Sequence, residues 1–185
     1  RRATTTFGHF QYTNLYTIFM NTNEAVLSNG TEGLLQRKAA SFQYLSWNIC
    51  PRLEWGLFQG MIWQASDSNN KQCYNLYYFN PVIGVSALKY CLANTNNVLV
   101  GSTIKYKVCA NLMVYGQYVI DDLGAPTSIY DKTGYQAGLK YYNRLGEAMI
   151  EYNQVRPYTY SAYDPAQSYS HYNQPLADPL GANFR

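Results

Sequence analysis

Apolar and polar positions alternate along much of this chain, whereas a helical period is nearly absent, and alternation marks half-buried strands. The clearest run is LEWGLFQGMIWQ, in which Leu53, Trp55, Leu57, Met61 and Trp63 share one face. Glu54, Gly56, Phe58, Gly60, Ile62 and Gln64 share the other. In NVLVGSTIKYKV, Val98, Val100, Ile104, Tyr106 and Val108 oppose Thr103, Lys105 and Lys107. NLMVYGQYVID sets Leu112, Val114, Tyr118 and Ile120 against Asn111, Tyr115, Gln117 and Asp121. GYQAGLKYYNR and AMIEYNQV repeat the pattern, with Lys140 and Glu151 on their polar faces. Tyr, Phe and Thr content predicts two earlier strands, near 7–20 and 38–49; Asn14 interrupts the apolar face of the first.

The pattern therefore predicts about seven strands of about 8–13 residues, longer than the five or six usual in soluble proteins. Long connections (about 21–37, 66–96 and 122–133, then everything after Arg156) alternate with tight turns at Cys50-Pro51-Arg52, Cys109-Ala110 and Leu145-Gly146. An antiparallel transmembrane β-barrel produces this rhythm, because its strands return through short turns on one side of the membrane and long loops on the other. About 9–11 tilted residues cross the hydrocarbon layer. On the five clean strands every charge within the core span falls on one face, and Trp47, Trp55, Trp63 and Tyr106 lie toward strand ends, as an interfacial girdle requires. A soluble lectin-like β-sandwich also alternates, but it explains neither the strand length nor the rhythm.

Composition agrees with an ordered, weakly charged chain. Its 185 residues include 20 Tyr, and only 14% are charged, against about 25% in typical domains. The net charge is +3 with no cluster of Lys and Arg, so no nucleic-acid surface is expected. No apolar run reaches the length of a membrane helix, no signal peptide is recognisable, and the chain opens on RRATTTFG, as a processed piece or a fragment would. Two histidines, His9 and His171, and four cysteines without C-x-x-C spacing give no metal site, and no cofactor is expected. In the barrel, Cys50 and Cys109 sit at neighbouring short turns about 10 Å apart, beyond disulfide reach. Cys73 and Cys91 share one long connection and are the candidate disulfide; four free thiols is the equal alternative.

Little of the sequence suggests catalysis. SALK (86–89) followed by KTG (132–134) superficially matches penicillin-binding elements, but the intervening serine motif is missing. Glu54 and Glu151 could face a lumen, where a solvated lining is favoured over a hydrolase pair. NGT at 29–31 reads as a turn. The richest candidate is RPYTYSAYDPAQSYSHYNQPLADPLGANFR, from Arg156 onward. Tyr rings stack on sugars and amides bind hydroxyls, so Arg156, Tyr158, Tyr160, His171, Tyr172, Asn173, Gln174 and Asp178 are candidate glycan contacts. The alternative, favoured for any single residue, is an ordered loop packed over a barrel mouth by its own tyrosines.

HYNQPLADPLGANF, together with EYNQVRPYTYS, VYGQYVIDD, FQYLSWNICPRLEWGLFQGMIW and YFNPVIG, resembles the Wzi-like capsule assembly family of outer-membrane proteins in its Bacteroidetes branch. The phrases occur in the same order and cover most of residues 7–185. One departure is Asp178, where the family phrase has histidine. Family members are longer, so the resemblance implies a middle section of one barrel domain, with strands missing on both sides. It further implies the outer membrane of a Gram-negative bacterium and association with surface polysaccharide through non-enzymatic binding. Relatives linked to gliding motility and protein secretion imply a second expectation, an accessory barrel contacting other outer-membrane or secretion-machinery proteins.

Overall fold

The computed structural model describes residues 2–24, 35–64, 80, 82–85, 97–121, 132–157, 159–160, 162, 167–172 and 174–176. It is all-β. Eight strands form one sheet in strict sequence order: β1 (Arg2–Phe7), β2 (Phe10–Glu24), β3 (Leu35–Cys50), β4 (Leu53–Gln64), β5 (Asn97–Cys109), β6 (Leu112–Ile120), β7 (Thr133–Asn143) and β8 (Gly146–Val155). Every neighbouring pair is antiparallel. β1 and β8 are the two ends of the order and do not pair with each other, so the sheet is open. A small hairpin, β9 (Ser170–His171) and β10 (Gln174–Pro175), stands apart.

The predicted count of seven strands is corrected to eight. The strand expected near 7–20 is β2, and the strand missed is β1 before it, set off by Gly8, which takes φ +58°, a left-handed conformation that glycine adopts without a Cβ penalty. Gly8 and His9 thereby close a hairpin that the unbroken run TTTFGHFQYT conceals. The other short turns lie at 51–52, 110–111 and 144–145. At the last, Asn143 Oδ1 accepts from both Leu145 N and Gly146 N at 2.8 Å, an Asx turn. All four short connections share one end of the sheet, and the long ones share the other. Cys50 and Cys109 stand beside register shifts at that short-turn end, free and exposed.

Cross-strand register sorts the side chains into two faces. One row of the first face runs Phe10–Trp47–Trp55–Ile104, and the next runs Tyr12–Leu45–Leu57–Ser102–Tyr118–Tyr135. This apolar face is open to its surroundings over β5–β8, with Ile150 75% exposed and Ile104 50%. Phe10 and Trp47 stack at 5.5 Å. Trp63 departs from the expected girdle: it is 2% exposed and clusters with Ala39, Met61 and Val98. The opposite face carries Lys38, Glu54, Lys105, Lys107, Lys140, Glu147 and Glu151. Arg37, at the long-connection end of β3, is on the apolar side.

Glycines on the polar face let aromatic rings lie flat against the sheet. A Cβ on Gly56 would come within 2.5 Å of the Tyr44 hydroxyl, and one on Gly138 would enter the Tyr115 ring. Gly101 has the same relation to Phe58. Such ring-over-glycine pairs restore the packing that a strand glycine lacks.

Candidate functional site: a polar face crossed by the C-terminal segment

Toward the short turns the polar face carries charged side chains, several of which bond to their neighbours on the same face. Lys105 Nζ lies 3.0 Å from Glu54 Oε1, and the Tyr44 hydroxyl donates to the same oxygen at 3.3 Å. Tyr115 OH and Asn153 Nδ2 donate to the Glu151 carboxylate at 2.5 and 2.6 Å. Lys140 pairs with Glu147. Glu54 and Glu151 share one row but stand four strands apart, about 19 Å along the sheet. That separation exceeds the roughly 5–9.5 Å of glycosidase carboxylate pairs, so the geometry does not bring them together. Because the Lys105–Glu54 pair is partly solvated, Glu54→Gln is expected to cost under about 1 kcal/mol, and less at high salt; urea titration at two ionic strengths measures this.

Two residues further from the short turns, the next row on this face is entirely uncharged. Thr103, Gln117, Gln136 and Asn153 are register partners on β5–β8. The same row continues through Gly56, Ser46 and Gln11 to Thr6 on β1. A cavity of about 80 Å³ opens at Gln117, Gln136 and Asn153, with Tyr160 among its lining residues.

Beyond that row the chain after β8 crosses the sheet. Arg156 N and Thr159 Oγ1 donate to Thr133 O, and Tyr160 N donates to the buried Asp121 carboxylate at 2.7 Å. Tyr160 takes φ +71° to do so, a left-handed backbone uncommon for a bulky residue. Tyr169 N bonds back to Tyr160 O, and the Tyr169 hydroxyl donates to Gly60 O at 2.9 Å and Asn97 O at 3.1 Å. Lys38 Nζ, fully buried, donates to Ser168 O and Ser170 Oγ. Finally Met20 N donates to His171 Nδ1, and Tyr172 N donates to Met20 O. The segment thus runs from β6–β7 over β4–β5 to β2. Under it the face is apolar: Ala40, Ile62, Leu99 and Val119 pack with Tyr169, flanked by Phe19, Phe42, Phe58 and Tyr160.

The candidate contacts meet different fates. Arg156, Tyr172 and Gln174 are exposed. Tyr160 is half-buried against Tyr169, and burial together with the Asp121 charge pushes its phenol above the usual range, keeping it neutral. His171 is half-buried, with its ring 5.7 Å from Phe19 and 4.4 Å from Tyr172. Tyr158, Asn173 and Asp178 lie outside the described residues, as do Cys73, Cys91, the SALK motif and NGT. KTG leads into β7. No family model, no curated protein and no solved structure matches the chain.

A further feature escaped the sequence reading. Asn14, Gln43 and Gln59 are register partners on the apolar face and are all buried. Gln59 Nε2 donates to Gln43 Oε1, Gln43 Nε2 donates to Asn80 O, and Gly84 N donates to Gln59 Oε1 at 2.8 Å. Part of YFNPVIG is thereby docked on the apolar face of the sheet. The signals were present: Asn14 breaks one apolar face, and Gln59 stands midway between Leu57 and Met61. Gln59→Leu leaves Gly84 N without its acceptor and Gln43 Oε1 without its donor, at about 1–3 kcal/mol. Faster amide exchange at Gly84, with β7 and β8 unchanged, is the expected result.

Proposed function

We propose that the chain forms part of the wall of an outer-membrane β-barrel, with its apolar face toward lipid and its polar face toward the lumen. Its long-connection side holds surface polysaccharide, and no reaction is catalysed. One observation carries the membrane part: charges gather on one face of long antiparallel strands, rings and aliphatic side chains stand open on the other, and short and long connections sort to opposite ends. A soluble sandwich would bury that open face against a second sheet. The polysaccharide part is supported by the family resemblance and by the exposed Arg156, Tyr172 and Gln174 on the long-connection side. Alanine at these three positions in the full-length protein is expected to release polysaccharide from cells while leaving barrel levels unchanged; undiminished retention would remove the glycan role.

A second reading, an accessory barrel of a gliding or secretion assembly, is favoured by the docking of residues 80 and 82–85 on the apolar face. Gln59 lies six residues beyond Leu53, about 14 Å above the short-turn end of a tilted strand. Irregular backbone at that depth is tolerated where protein covers it and not where lipid does. A stoichiometric protein partner retained in mild detergent supports this reading, and bound saccharide supports the first.

A further inference from the structure

We infer that the uncharged row on the polar face is itself a binding site for a neutral saccharide chain, separate from the exposed residues of the C-terminal segment. The inference rests on the lumenal reading of the polar face.

Three observations converge. First, Thr103, Gln117, Gln136 and Asn153 stand side by side on four consecutive strands, a line about 14 Å long at normal strand spacing. Each offers a hydroxyl or an amide, and an amide presents both donor and acceptor, which suits sugar hydroxyls. Their side chains are half-buried or exposed rather than sealed in a core, and a cavity opens on three of them.

Second, aromatic rings flank the line, held flat by glycine. Tyr44 lies over Gly56 and bonds the Thr103 hydroxyl at 3.1 Å. Tyr115 lies over Gly138 in the neighbouring row. A ring fixed flat on a wall offers its face to the apolar side of a sugar and loses no rotamer freedom on binding.

Third, the charges beside the row are committed to one another: Lys105 to Glu54, and Glu151 to Tyr115 and Asn153. An acidic ligand on the row would have to break the Lys105–Glu54 pair to use the cation beside it, whereas a neutral one leaves that pair intact. Selectivity for an uncharged chain follows.

The test uses the full-length barrel in detergent micelles and three probes, neutral gluco- and manno-oligosaccharides and the acidic oligogalacturonate, with binding followed by calorimetry. Wild type is expected to bind a neutral probe better than the acidic one. Gln117→Ala combined with Gln136→Ala should weaken neutral binding at least tenfold, and Gly138→Ala, which displaces the Tyr115 ring, should weaken it independently. Leu145→Ala, at the 98% exposed tip of the β7–β8 turn, should leave it unchanged. Failure of both neutral probes to bind, preference for the acidic probe, or binding indifferent to the Gln117 and Gln136 changes would overturn the site. Those results leave the cell-retention experiment untouched, so the row can fail while the outer segment's glycan role stands, and the reverse.

Discussion

Gly101→Val is expected to destabilise the sheet by about 3 kcal/mol, near the upper end of the range for overpacking. A Cβ at this position would lie 2.5 Å from the backbone oxygen of Tyr118 and inside the Phe58 ring. A side-chain tip can swing away, but the Tyr118 carbonyl is fixed by the β5–β6 ladder. Either the strands separate locally or Phe58 leaves the cluster it shares with Ile62, Leu99 and Tyr169. Gly116→Ala is the matched control, since its nearest neighbours would be 3.4 and 3.7 Å away; a small change is expected. Urea midpoints of the folded protein in micelles separate the two. Equal midpoints for the two variants would show that Phe58 is not packed against Gly101 as described.

Tyr169→Ala is expected to have the second large effect, about 3–5 kcal/mol by analogy with aromatic truncation in cores, and its consequence should be local. Tyr169 is 4% exposed and joins both layers of the crossing: its ring packs on Phe42 and Tyr160, and its hydroxyl holds Gly60 O and Asn97 O. Without it, the remaining ties are the bonds to Thr133 O and Asp121 at one end and the Lys38 and Met20 bonds at the other. Limited proteolysis should then cut between residues 156 and 176 while β3–β7 stay protected. Tyr169→Phe removes only the hydroxyl bonds and should cost about 1–2 kcal/mol. If the segment resists protease equally in Tyr169→Ala, the crossing does not depend on this anchor.

Much of the sheet was readable because strand side chains alternate with a period of two, and β4–β8 keep that alternation over 9–13 residues. The polar face of β4 already held Phe58 and Ile62 beside Glu54, and that mixture was a trace of the apolar patch beneath Tyr169. What it could not convey was the cover, because Tyr169 meets Gly60 from 109 residues away, and no local pattern encodes a contact at that range. Gly8 was missed for the opposite reason, since one glycine between two Thr- and Tyr-rich runs looks like a strand interior. The uncharged row became visible only with cross-strand register, which aligns Gln117 with Gln136 and Asn153 although each lies on a separate strand.

The proposed barrel wall requires that one face of this sheet meet lipid and the other water. Single cysteines at Thr103, Ile104, Lys105, Tyr106 and Lys107 test it most directly, in a full-length protein whose Cys50, Cys73, Cys91 and Cys109 are serine. Each is spin-labelled, the protein is placed in lipid bilayers, and collisions with oxygen and with a water-soluble nickel chelate are compared. Strict alternation is expected: labels at 104 and 106 reached by oxygen, and labels at 103, 105 and 107 reached by the chelate. Labels at 104 and 106 open to the chelate, or buried from both reagents, would contradict it.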